Sequence, residues 1–165
     1  MSVSTNILRS YRAPRTVVRS LRSGHRREAR ILVYLMLACA LFFVAQWPQL
    51  ARQAQFDDTV PFEARMAGVL FGTVFLAPLM FYAIGGVLTL ICRFFNAATD
   101  GFDVRLALFW ALLVVSPLVL LQGLVSGIIG AGPQVALTGV IVFVVFAAVL
   151  GAGLRVALEA AREQA

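Results

Sequence analysis

Four apolar runs with no charge in their interiors decide what this chain can become. They cover residues 31–47, 67–92, 104–129 and 135–154, and Arg105 sits only at the edge of the third. At about 1.5 Å of rise per residue each can cross a hydrocarbon core of about 30 Å, the first only just. Backbone amides at that depth have no water to bond, so a run of this length must be helical. The hydrophobic share of 61% and mean hydropathy of +0.89 agree, because soluble domains run nearer 45–50% apolar. The expected fold class is all-α: a polytopic membrane helix bundle of four transmembrane helices, preceded by a short basic amphipathic helix. Residues 1–30 form its cytoplasmic arm, 31–154 its membrane domain and 155–165 a short tail.

Charge is distributed as unevenly as apolarity. Residues 1–30 carry eight Arg against one acid, Glu28, whereas residues 31–165 carry six Arg against seven acids. Lys is absent, which fits a G+C-rich coding sequence as simply as any functional demand. Excess Arg beside short loops marks the cytoplasmic side. The arm, the 93–103 loop with Arg93 and Arg105, and the tail with Arg155 and Arg162 then share that side. The 48–66 loop with Asp57, Asp58 and Glu63, and the uncharged turn 130–133, take the other. The expected location is a bacterial inner membrane with both termini cytoplasmic. A cleaved signal peptide is disfavoured, since no small-residue cleavage site follows "VAQWPQ"; an Arg-rich, acid-poor transit peptide fits by composition alone.

Within the arm the Arg recur every three or four residues. Arg12, Arg15, Arg19, Arg22 and Arg26 fall on one side of a helical wheel, and Ile7, Tyr11, Val17, Val18 and Leu21 on the other. Pro14 suits the first position of a helix, and Gly24 suits the residue after its end, so the spacing predicts a helix over 14–23. Such a helix would lie on anionic cytoplasmic lipid, each Arg adding about 1 kcal/mol near the surface. Simple positive-inside anchoring is the plainer alternative. These five Arg are the candidate lipid- and partner-binding residues, with other membrane proteins or a second copy of the chain as partners. Nucleic acid is not expected, because no recognised fold or basic–aromatic interleaving is present.

The spans offer little chemistry. Gln122 is the conspicuous polar residue, and its ordinary role is a hydrogen bond to a neighbouring helix. Pro78 and Pro117 should kink their helices, with Ser116 placed to satisfy a freed carbonyl. Small residues recur at spacing four, notably Gly68/Gly72 and Gly123/Gly127, and also Ala147/Gly151; such faces let helices approach closely. His25 has no second ligand at metal spacing, Cys39 and Cys92 suggest no disulfide framework, and no nucleophile, phosphate-loop or dinucleotide motif appears. No catalytic residue, cofactor or metal is assigned, and the chain reads as a non-enzyme.

The stretches "APRTVVRSL", "REARILVYLMLACALFFVAQWPQLAR", "FLAPLMFYAIGG" and "RLALFWALLVVSPLVLLQGLVSGIIG" resemble bacterial members of the Yip family over roughly residues 13–155. In eukaryotes that family comprises small polytopic proteins that interact with Rab/Ypt GTPases. This chain departs from their pattern. It lacks the Asp-Leu-Tyr-Gly-Pro motif, retaining only the proline of "FLAPLMFY"; its N-terminal region is short; and four spans are counted where five are usual. GTPase binding is therefore not implied. The resemblance implies a bacterial inner-membrane protein without an assigned biochemical role; the basic arm, the small-residue faces and the uncharged spans suggest one that organises membrane or partner proteins. Two other classes fit the same composition. One is a small transporter or channel subunit, with Pro78, Pro117 and Gln122 along its path. The other is an accessory subunit of a respiratory or photosynthetic complex.

Overall fold

The computed structural model describes residues 3–23, 27–57, 59–94, 99–130 and 132–162. Arg26, Gly24, His25 and Asp58, named above, lie outside them. Six helices follow in order: α1 (Val3–Ser10), α2 (Pro14–Ser23), α3 (Glu28–Phe56), α4 (Phe62–Phe94), α5 (Gly101–Ile129) and α6 (Pro133–Arg162). No strand occurs among the described residues. The last four are long and apolar enough to cross a membrane.

Each long helix outruns its apolar stretch, because helix ends continue through the headgroup layer on ordinary polar residues. α3 also passes straight through Pro48, where the apolar run had stopped. A proline there costs one backbone bond, and the packing of its ring against Gly127 of α5 compensates. Local signals account for the ends. Asp100 caps α5 by accepting from the Phe102 amide at 3.1 Å. Pro133 opens α6, where its missing N–H is no loss. Gly130 turns the chain between them at φ +85°, a conformation that favours glycine.

Prolines inside α4 and α5 are handled differently. Ahead of Pro78, residues Gly72–Leu76 form a π-helical segment in which the Ala77 amide bonds Gly72 O, absorbing the register shift one turn early. Pro117 leaves Leu113 O without its amide, and the Ser116 hydroxyl donates to that carbonyl at 2.8 Å.

α5 is the central helix. From Phe102 to Ser116 every residue except Arg105 is buried. α3 and α6 pack along it, α4 meets it through Gly85 and the Tyr82–Phe109 ring pair, and α1 and α2 close the remaining side. Beyond Pro117 only Ser126 and Gly130 are buried. α4 and the first two-thirds of α6 turn Phe71, Phe75, Leu79, Leu137 and Phe143 outward. So much contiguous apolar surface would be a liability in water and is the ordinary coat of a helix in lipid.

Candidate functional site

The basic arm is built into the bundle. The spacing predicted α2 at Pro14–Ser23, and the helix has those bounds. The arm before Pro14 adds a second helix, α1, that the position of the proline gave no reason to expect. A turn at Tyr11–Arg12 joins them, with the Ala13 amide bonding Arg9 O at 2.8 Å.

The apolar face of α2 does not enter lipid. Val17, Val18 and Leu21 are 5%, 3% and 8% exposed and belong to the same core as Trp110 and Phe109. Amphipathicity calls for an apolar partner, and here α5 and α6 supply it in place of acyl chains. The partner surface is lined with small residues, so α2 can come close. A methyl group on Gly153 of α6 would meet both Ala107 of α5 and Val18.

Three anchors give the arm its direction. Arg22 Nε donates to Asp103 at 2.9 Å, at the start of α5. Trp110 Nε1 donates to Ser10 Oγ at 3.0 Å. Tyr11 Oη donates to Val114 O at 2.6 Å. From Asp103 to Val114 is about 16 Å along a helix axis. The hairpin therefore runs alongside the first half of α5, with Arg22 at its start and Tyr11 beside Val114.

The five arginines divide accordingly. Arg22 points inward to Asp103, which is 5% exposed, so it serves the arm's attachment and offers nothing to an outside ligand. Arg19 pairs with Glu159 of α6 at 2.9 Å on the surface, a contact worth little by itself. Arg12 and Arg15 are exposed on the outward side, and Arg26 lies outside the described residues. Around the arm's base, Arg105 pairs with Glu28 at 2.5 Å and Arg30 donates to Leu21 O, tying α2, α3 and α5 together. The acids that sort these arginines were visible in the sequence as Asp103 and Glu159. Their partners lie 81 and 140 residues away, beyond any local pattern.

The other candidate residues lie apart from this site. Gly123 and Gly127 of α5 face the main chain of α3 at Ala45 and Pro48. Gly68 and Gly72, at the same spacing in α4, face open space. The Gln122 amide lies over Gly139 of α6. Pro78 lies in α4, and Pro117 and Gln122 lie in α5. Cys39 is buried and Cys92 half-buried, both as free thiols. No group of three metal-ligating residues occurs among the described residues.

Four membrane-length helices and an Arg-faced arm define a polytopic α-helical membrane protein. Its sequence matches the Yip1 domain over residues 8–165, and the chain belongs to that family. The match takes in α2 and most of the described arm as well as the spans, so the arm is part of the domain. No curated protein and no solved structure matches the chain significantly.

Proposed function

We propose that this Yip1-domain protein is a non-enzymatic organiser of its membrane. In this reading the arm holds a face of arginines against anionic lipid or an acidic partner protein, on the cytoplasmic side of a bacterial inner membrane. The observation that carries it is the orientation of α2. Its apolar residues are spent on the bundle, and Arg12 and Arg15 are turned outward from a rigidly held scaffold. A surface held in place loses less conformational freedom on binding than a free tail would. The excess of Arg at this end supports its cytoplasmic placement.

Because the arm forms part of the core, neutralising its outer face is a cleaner test than deleting it. The double variant Arg12→Gln/Arg15→Gln should insert and melt like the parent. It should also lose anionic lipid from its native-mass-spectrometry adducts and lose co-purifying proteins. An unchanged set of lipids and proteins would overturn the proposal. Cysteines placed at 12 and 59, in a chain freed of Cys39 and Cys92, should label from opposite faces of sealed vesicles.

A further inference from the structure

Twelve of the fourteen arginines belong to the arm's end of the chain; Arg52 and Arg65 stand at the other. Positive charge is disfavoured there by the topology rule, so these two need a local reason. Both line an open cleft of 570 Å³ with Gln53, Asp57 and Ser126, where the far ends of α3 and α5 meet the start of α4 and α6. That volume lies within the range of small-ligand sites.

The groups are held in place. Arg52 Nη1 donates to Ile128 O at 2.8 Å and lies nearby over the Phe56 ring, 5.4 Å from its centre. The guanidinium lies against Gly130, where a side chain would come within 2.9 Å of Nη2, Cζ and Nε. Glycine at φ +85° thus makes room for the guanidinium at the wall of the cleft. Arg65 donates to Asp57 Oδ2 at 2.6 Å, and Thr59 occupies Oδ1 through both its amide and its hydroxyl. These bonds hold the Asp57 carboxyl well below the usual carboxylate range, so it is ionised. A carboxylate has about four acceptor positions, and three are used, which leaves one on Oδ2. The cleft therefore offers a cationic fork and, beside it, an anionic acceptor. Exposed Phe56 lines it as well.

We infer that this cleft binds a phosphate–ammonium zwitterion, as carried by the headgroup of an ethanolamine phospholipid, with the phosphate on the Arg52 guanidinium and the ammonium on Asp57. An anion alone would satisfy Arg52 and be repelled by Asp57; a cation alone would be repelled by both arginines. The site is at the opposite end of the bundle from the arm, and its failure would leave the proposed function untouched.

The test is native mass spectrometry of the full chain in micelles, offered phosphatidylethanolamine, phosphatidylglycerol, glycerophosphoethanolamine or inorganic phosphate. The parent should retain phosphatidylethanolamine about tenfold over phosphatidylglycerol. Asp57→Asn should bring the two lipids level without losing phosphatidylglycerol, and Arg52→Gln should lose about tenfold of both. Arg52 also caps α5, so a poorly folded Arg52 variant shifts the decision to Asp57→Asn, which leaves that cap alone. Binding of glycerophosphoethanolamine as strong as that of the lipid would assign the same chemistry to a soluble ligand. Equal retention of the two lipids by the parent, an unchanged ratio in Asp57→Asn, or tightest binding of inorganic phosphate would overturn the inference.

Discussion

The two halves of α5 are packed by opposite means. From Phe102 to Ser116 the helix is ringed by five others and filled with Trp110, Phe109 and leucines, and it holds a buried charge at Asp103. From Pro117 to Ile129 it approaches α3 through Gly123 and Gly127, and α6 through Gln122. Lipid tails are as apolar as leucine, so burying apolar surface between helices gains little in a bilayer. The far half relies on backbone approach and dispersion. The near half, with the arm inserted, can use polar contacts that lipid could not satisfy.

Substitution should separate the halves most clearly at Gly123. A methyl group there would sit 1.8 Å from Ala45 O, with main chain on both sides and nothing flexible to move. Gly123→Leu should cost about 3 kcal/mol or more, beyond the usual range for overpacking, and Gly127→Leu nearly as much. Gly68→Leu and Gly72→Leu meet nothing and should fall within about 0.5 kcal/mol of the parent. Thermal melts in nanodiscs check all four. Similar losses at both pairs would mean that the α4 face is covered by something the single chain lacks.

This contrast also marks what was legible. The two glycine pairs are identical in spacing, and only the fold separates a packed face from an open one. The four spans could be read because apolar length is a local property, and α2 because Pro14 marks its start. The apolar runs stop short of the helix ends, since polar residues in the headgroup layer have no apolar signature. α1 was passed over because the same proline discouraged a helix before it. The seat of α2 was assigned to lipid for a more basic reason. An apolar face shows that a partner exists, and acyl chains and a small-residue groove on α5 and α6 look alike from its side. The Arg52 cleft was invisible, since its parts come from four helices.

In the near half, the arm's attachment is the point to test. Arg22→Gln removes the cation from a buried carboxylate, and breaking such a pair costs about 3–5 kcal/mol when both members are fully buried. Arg22 keeps 23% of its side chain in contact with solvent, so about 2 kcal/mol is expected. The loss should appear as faster hydrogen exchange over residues 14–23, with the far half of α5 unaffected. Tyr11→Phe deletes only the hydroxyl bonded to Val114 O and should cost about 1 kcal/mol or less, in the same segment. If the Tyr11 variant loosened residues 117–129 as well, the halves would be one cooperative unit.

The smallest effect belongs to Asp57, outside the spans. Its carboxyl is lowered by the Thr59 and Arg65 hydrogen bonds. A carboxyl with a lowered folded-state value contributes its stability above the ordinary carboxylate range and loses it as pH falls through the lowered value. The loop should therefore hold its Asp57–Arg65 pair through mild acid, from pH 7 down past the range in which free aspartates protonate. Carbon-detected titration of the carboxyl would show this as a flat shift through that range. Asp57 is exposed, so the gain in stability is slight. Its value lies in the comparison. The near half sets Arg22 beside the buried Asp103 carboxyl, whereas the far end keeps an exposed carboxylate ionised with donors from Thr59 and Arg65. A midpoint at the free-aspartate value would show that Thr59 and Arg65 release the group in solution, and that the far end has no fixed charge to set against the one at Asp103.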